Sequence, residues 1–183
     1  AARYNTDIAA HKLLSVDEVI LAAKRAKQAG STRFCMGAAW REVKDDADFD
    51  NVLDMISQVS DVGLEICGTL GMATEDQLQK MKYAGLHAYN HNVDTSEDFY
   101  GDIISTRNYN DRLETLKNTR NANVSICSGG IIGMGESDAD RINMLLTLAT
   151  LDKHPESVPI NSLVSIDGTP LQNQKPASSW EMI

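Results

Sequence analysis

Three cysteines are the most reactive side chains of this sequence, and each stands on a different strand-like segment. Cys35, Cys67 and Cys127 lie far apart in the chain, so they form no local C-x-x-C chelate. On neighbouring strands, residues at one level lie only about 5–10 Å apart, and curvature brings inner side chains closer. Thiolates placed in this way suit an iron–sulfur cluster or a zinc ion. Free cysteine also packs in cores as a small apolar residue, so spacing alone leaves both interpretations open.

The glycine-rich segment 129–136, with the sequence GGIIGMGE, is a second candidate site. It follows a strand-like run and precedes a helical one, where the backbone of an α/β protein commonly approaches a ligand. It matches neither G-x-G-x-x-G nor a Walker pattern, so a phosphate cradle has weak support. A tight strand-to-helix turn is the structural alternative, although such a turn needs fewer glycines.

Length and charge restrict the classes of protein that can present these residues. The chain has 183 residues and a formal net charge of −9. This length is enough for one sizeable core. The negative net charge argues against a nucleic-acid-binding surface and against docking on an anionic membrane. No apolar run reaches the roughly 18–20 residues of a membrane span. An odd number of cysteines at low density predicts reduced thiols and a cytoplasmic location.

Strand-like and helix-like segments alternate along the chain. The predicted strands are 32–39, 64–70, 88–94, 124–131 and 158–166. Capping-box patterns begin two helices at Ser15 and Thr74, and Gly30 and Gly85 end them. Further helices are predicted over 48–62, 109–120 and 137–151. This alternation predicts right-handed βαβ units and a parallel sheet, which is either open and doubly wound or part of an eight-stranded barrel.

The two faces of the predicted strands differ in polarity. Side chains two positions apart share a face, and one face collects Arg33, Glu65, Asn90, Ser125 and all three cysteines. A helix-covered open sheet would bury these groups at about 1–3 kcal/mol for each one without a partner. A barrel lumen accommodates them. We therefore predict a partial parallel (β/α) barrel of TIM type, about five of eight strands, as a single incomplete domain over residues 1–183.

Four segments in this order resemble the biotin synthases, a family of radical S-adenosylmethionine (SAM) enzymes. They are STRFCMGAAW at 31–40, YNHNVDT at 89–95, CSGGI at 127–131 and VPIN at 158–161. The resemblance covers essentially the whole chain. It implies a (β/α)8 barrel sulfurtransferase that inserts sulfur into dethiobiotin to form biotin. It also implies SAM, a [4Fe-4S] cluster and a [2Fe-2S] cluster as cofactors, and an electron donor such as flavodoxin.

The same resemblance implies roles for individual residues. Cys35, Cys67 and Cys127 match the three thiolate ligands of the [2Fe-2S] cluster. The residues that match SAM-binding positions are Asp94, Arg112, Gly129, Ile131, Gly133 and Glu136. Asn92 and Asn161 match groups around dethiobiotin, and an amide can both donate to and accept from its ureido ring. No residue is assigned as catalytic.

The sequence also departs from the family pattern. The C-x-x-x-C-x-x-C triad that binds the [4Fe-4S] cluster is absent from these 183 residues, and in the family it precedes the segment that residues 1–7 resemble. Residues 178–183 match part of the family's sixth helix, ahead of the arginine that completes the [2Fe-2S] ligand set. We therefore expect a central slice of the enzyme, inactive alone, that forms homo-oligomers through exposed strand edges. A non-catalytic metal- or ligand-binding half-barrel is the alternative function.

Overall fold

The computed structural model describes Tyr4, Thr6, Ala9 and residues 11–182, so most of the segment 1–7 lies outside the described residues. The chain divides into two compact units. One comprises Leu13–His91 and Asn110–Cys127, and we call it the cysteine unit because it contains all three cysteines. The other comprises Ala1–Lys12, Asn92–Tyr109 and Ser128–Ile183, and we call it the glycine-loop unit.

Helices and strands alternate, and all the paired strands are parallel. The helices are α1 (Val16–Gln28), α2 (Ala47–Asp61), α3 (Glu75–Ala84), α4 (Glu97–Ile103), α5 (Tyr109–Asn121) and α6 (Asp138–Ala149). The strands are β1 (Arg33–Gly37), β2 (Glu65–Thr69), β3 (Ala88–Asn90), β4 (Ser125–Cys127), β5 (Gly130–Ile132) and β6 (Ile160–Ser162). The cysteine unit holds a four-stranded sheet in the order β1-β2-β3-β4, and the glycine-loop unit holds the pair β5-β6.

Helix ends follow the capping residues of the sequence. Ser15, Thr74 and Ser137 each form a complete capping box with the residue three positions later. These boxes satisfy backbone N–H groups that a helix start would otherwise leave without partners. Gly85 ends α3 in the left-handed conformation, with φ of 115°, where an added Cβ would lie 2.7 Å from Ser60 Oγ. The predicted boundaries of α1 and α3 are therefore confirmed.

The core of the cysteine unit lies on one side of its sheet. Phe49, Ile56 and Val59 of α2 pack there with Ile66 of β2 and Leu78 of α3, all at most 1% exposed. On β1, Phe34 and Met36 are half-buried, while the alternate residues of the strand are exposed. The polarity difference between the two faces therefore appears as predicted, with the apolar face against the helices.

Several features differ from the prediction, and the strand predicted over 158–166 extends only over Ile160–Ser162. The predicted strand 124–131 is divided into β4 and β5, because the backbone changes partner at Ser128, whose N–H donates to Ser157 O at 3.0 Å. The predicted strand 88–94 ends at Asn90, and Asp94 takes φ of 70°, which no extended strand accommodates. The short helix α4 was not predicted, although Ser96 followed by two acidic residues is a usual N-terminal signal.

The architecture is α/β with parallel strands. Among the described residues, neither sheet closes on itself, which is consistent with a partial barrel. Residues 179–182 form turns rather than the helix expected there. No described helix is both long enough and apolar enough to cross a membrane.

Candidate functional sites

The strand register places two cysteines side by side and the third further along. Cys35 of β1 is the direct partner of Cys67 of β2. Cys67 pairs with Ala88 of β3, whereas Cys127 of β4 pairs with Asn90, two residues beyond Ala88. Cys127 is therefore staggered by two residues relative to the other two cysteines. The sequence pattern predicted the shared face but not this stagger.

Cys127 raises the pKa of the Cys67 thiol, although strand β3 stands between their strands. In a flat sheet, strands two apart are separated by about 9–10 Å, and a stagger of two residues adds about 6–7 Å along the strand. An influence of one thiol on the other at this separation indicates a curved sheet with the cysteines on its inner face. A small residue, Ala88, occupies the position between them, and this leaves room for the thiols to approach.

The environment of Cys67 favours the protonated thiol over the free thiolate. Cys127, burial and the nearby Cys35 all raise the pKa of Cys67. Cys67 therefore keeps its proton, and a metal bound by its thiolate would have to displace that proton. Cys35 is exposed and Cys127 is half-buried, so the site is open to an incoming group.

The spacing of the cysteines distinguishes between kinds of metal site. Within the part of the chain that the structure describes, no group of three or more His, Cys, Asp or Glu is arranged to hold one metal ion. A single zinc needs all its sulfur ligands at about 2.3 Å from one point. A cluster distributes its ligands over more than one iron, so it tolerates wider spacing.

Polar neighbours surround the cysteines on the same face. Asn90 Nδ2 donates a hydrogen bond to Cys127 Sγ at 3.2 Å. Two residues before the Cys35–Cys67 pair, Arg33 and Glu65 are direct strand partners and form an ion pair of 2.8 Å. The hydrogen bond to Glu65 raises the pKa of Arg33, so this guanidinium stays charged close to the thiols. The Asn90–Cys127 contact was not foreseen, although the alternation along β3 places Asn90 on the cysteine face.

The glycine-loop unit brings together a second group of predicted residues. Asp94 O accepts from Ile131 N at 2.8 Å, and Asp94 N donates to Gly129 O at 3.2 Å. Asn92 Oδ1 accepts from Gly129 N at 3.1 Å. Asn161 is exposed on β6 and is the strand partner of Ile131. Five predicted residues are thus neighbours around the start of β5.

The glycines of segment 129–136 are explained by contacts inside this unit. A Cβ at Gly129 would collide with Pro159, and one at Gly130 would collide with Met144. Gly133 and Gly135 have φ of 92° and 107°, which disfavour any residue with a side chain. Close packing therefore accounts for Gly129 and Gly130, and the backbone turn accounts for Gly133 and Gly135. All four glycines have a structural explanation.

Glu136 lies beneath this loop instead of facing outward. Its carboxylate accepts from Gly133 N at 2.8 Å, Met134 N at 2.7 Å and Arg141 Nε at 2.8 Å. Its side chain is 1% exposed. Burial raises the pKa of Glu136, but the hydrogen bonds from the loop and from Arg141 outweigh it and lower the pKa below its ordinary value. The geometry makes Glu136 a support of the loop.

Arg112 belongs to a different unit of the chain from the other predicted SAM residues. It lies in the first turn of α5, in the cysteine unit, and is half-buried. Sequence reasoning missed three further residues of the glycine-loop unit, Ser96, Asp140 and Arg141, which bond to one another or to Glu136. The helix-capping patterns at Ser96 and Ser137 were the signals near them.

The parallel strands, with helices between them, define the class of partial (β/α) barrels. The sequence pattern of the radical SAM superfamily matches residues 3–148, and the chain belongs to this superfamily. Membership implies SAM and iron–sulfur chemistry as its cofactors. The partial-barrel fold agrees with two crystal structures, of methylornithine synthase (TM-score 0.79, 18% identity, 95% of this chain and 51% of that one) and of a maturase of the [FeFe]-hydrogenase (0.76, 17%, 97% and 43%). At these identities the likeness concerns the fold alone.

Much closer sequence relatives carry one common name. The chain is 60% identical over 183 residues to the biotin synthase of Cytophaga hutchinsonii, covering 100% of this chain and 54% of that protein. It is 58% identical to the biotin synthase of Myxococcus xanthus (53% of that protein) and 55% identical to the mitochondrial biotin synthase of Arabidopsis thaliana (49%). The resemblance to this family is therefore confirmed. The chain spans about half the length of the curated relatives it matches.

Proposed function

We propose that this chain forms the central part of a biotin synthase, which inserts sulfur into dethiobiotin by SAM-derived radical chemistry. One observation carries the proposal: three thiols distant in sequence lie on one face of a single four-stranded sheet, where the resemblance expects cluster ligands. The identity of 55–60% over the whole chain to named biotin synthases supports it. Membership of the radical SAM superfamily supports the reaction class.

Cys35, Cys67 and Cys127 would hold the [2Fe-2S] cluster as thiolates. When bound, this cluster supplies the sulfur that is inserted into the substrate. Asn90 donates to the Cys127 sulfur and so restrains that ligand. The Arg33–Glu65 pair adds a fixed positive charge near anionic ligands, with Glu65 holding the guanidinium in place.

SAM would bind at the loops around β5, and Arg112 would bind its methionyl carboxylate. A carboxylate can accept from both hydroxyls of a ribose, which is the proposed role of Asp94. The backbone of Ile131 would contact the adenine, and Gly129 and Gly133 allow the chain to turn there. Glu136 would act from below by holding the loop. The [4Fe-4S] ligands of the family are not among these 183 residues, and an electron donor such as flavodoxin is part of the proposal for the whole enzyme.

Asn92 and Asn161 would bind the ureido ring of dethiobiotin. The hydrogen bond from Gly129 N fixes Asn92 Oδ1 as an acceptor, so its Nδ2 forms the donor end of the amide. A donor suits the ureido carbonyl. Asn161 is exposed on β6 beside Ile131, and this places an amide next to the proposed adenine site.

Anaerobic reconstitution of the purified chain with iron and sulfide tests the proposal. We expect visible absorption of an iron–sulfur cluster, and its loss when each cysteine is changed in turn to serine. Ser125→Ala is the matched control, because Ser125 lies on the same face two residues before Cys127 and bears no thiol. A cysteine whose replacement leaves the absorption unchanged is removed from the ligand set. Indifference to all three would favour the non-catalytic half-barrel.

A second part of the proposal concerns the number of domains and the association of the chain with itself. We propose that residues 1–183 form one incomplete barrel domain and that this chain associates with itself. The basis is the edge strand β1, whose second edge has no strand partner among the described residues. A single cooperative thermal transition would support one domain, and two separate transitions would contradict it.

A further inference from the structure

The first turn of α6 contacts both loops that surround the proposed SAM site. Ser137 caps this helix, and Asp140 completes the capping box through Ser137 N at 2.9 Å. Arg141 follows directly. Neither Asp140 nor Arg141 belongs to a motif that the sequence analysis identified.

Arg141 holds the glycine-rich loop from below. Its Nε donates to the buried Glu136 carboxylate, which in turn accepts from Gly133 N and Met134 N. Its Nη2 donates to Glu181 at 3.3 Å, and Glu181 closes a turn with Ser178. Arg141 is only 22% exposed and Glu136 is 1% exposed, so the bond between them lies largely out of water. The guanidinium therefore joins the loop to the segment that covers Gly133 and Gly135.

Asp140 holds the other loop. Ser96 Oγ donates to Asp140 Oδ1 at 2.6 Å, and Ser96 is 0% exposed. Ser96 also caps α4 and follows Asp94 by two positions, so it fixes the end of the loop that carries Asp94. Hydrogen bonds from Ser137 and Ser96 lower the pKa of Asp140, which keeps it an anionic acceptor at neutral pH.

We infer that Asp140 and Arg141 are positioning residues for adenosine binding: together they hold the far ends of the two loops, at Ser96 and at Glu136, while the backbone bond between Asp94 and Ile131 joins their near ends. This inference rests on the proposed function. Neither residue needs to contact the ligand, because each acts through one loop. Two loops bonded to adjacent residues of one helix turn cannot move apart without breaking these bonds. A loss of either bond widens the range of loop separations and weakens binding to a rigid nucleoside.

The test measures the affinity of the 183-residue chain for S-adenosylhomocysteine, which carries the adenosine of SAM and does not react. We compare Arg141→Met, Arg141→Lys and Asp140→Asn with the unchanged chain by isothermal titration calorimetry. Asn143→Ala is the matched control, since Asn143 is exposed on the next turn of α6 and lies in neither loop. Thermal midpoints and iron loading of the cysteine unit are measured in parallel.

We expect Arg141→Met to weaken binding about tenfold or more, and Asp140→Asn about fivefold. Lysine at position 141 should restore binding to within about threefold, because it keeps one charged donor. The control should stay within about twofold, and iron loading should be unchanged in all four variants. The inference is overturned if the affinity of the Arg141 and Asp140 variants falls only in proportion to their thermal stability, or if it falls equally in the control. The proposed function stands in both cases. No binding to the unchanged chain overturns both.

Discussion

Replacing Glu136 by glutamine should destabilise the chain far more than the same substitution at an exposed glutamate. The carboxylate is 1% exposed and accepts two backbone N–H groups and the Arg141 guanidinium. Glutamine keeps the shape but turns an amide nitrogen toward at least one of these donors. One charge-assisted hydrogen bond is lost and one buried donor is left without a partner, at a cost of about 2–4 kcal/mol. For a chain of this size this corresponds to a thermal midpoint lower by roughly 5–12 °C.

The pH dependence gives this prediction its sharpest form. The folded state lowers the pKa of Glu136 from its ordinary value of 4.5, so the ionised carboxylate stabilises the fold. Its contribution is complete above about pH 5 and is lost as the pH falls through the folded-state pKa. Glutamine does not titrate. The stability gap between the unchanged chain and Glu136→Gln should therefore be widest near pH 7 and should narrow steadily toward pH 3.

Chemical denaturation followed by circular dichroism between pH 3 and pH 7 measures this gap. Glu114→Gln on the exposed side of α5 is the control and should change stability by less than about 0.5 kcal/mol. Equal stability of Glu136→Gln and the unchanged chain at pH 7 would refute the reasoning. A gap that stays constant down to pH 3 would show that ionisation of the carboxylate contributes nothing to the gap.

Three further predictions concern other parts of the molecule. Gly85→Ala should destabilise the chain by about 1–3 kcal/mol in urea unfolding, because φ is 115° and the new Cβ meets Ser60; no change would mean that α3 can end differently. Asn90→Leu should shift the visible absorption of the reconstituted chain and raise its sensitivity to chelators, since the Cys127 sulfur loses a donor. An unchanged spectrum would exclude that contact from the site. Light scattering should show a mass above 20.0 kDa at high concentration, and a clean monomer would contradict self-association.

Local patterns in the sequence predicted local structure well. The capping residues Ser15, Thr74 and Ser137 begin helices as expected, since a cap depends on side chains within three positions of itself. Alternation along the strands also predicted which face is polar. The division of segment 124–131 escaped prediction because it depends on Ser157 and Pro159, which bond to that backbone from a distant part of the chain.

In the candidate sites too, contacts between residues distant in the chain escaped prediction. Resemblance supplied the identities of the proposed ligands, and their roles remain predictions. The glycine-rich loop was expected to approach a ligand, but the space above Gly129 and Gly130 is filled by Pro159 and Met144. Glu136 was grouped with the SAM residues, and only its three bonds beneath the loop show what its carboxylate does.

The sequence by itself determined the alternation of parallel strands and helices, the polarity of each strand face and the superfamily to which the chain belongs. These properties follow from residue types at short, regular spacing. Only the tertiary structure decided that Cys127 is staggered by two residues relative to Cys35 and Cys67, and that one turn of α6 binds two separate loops. Both depend on sheet curvature and strand register, which arise from packing among residues far apart in the chain.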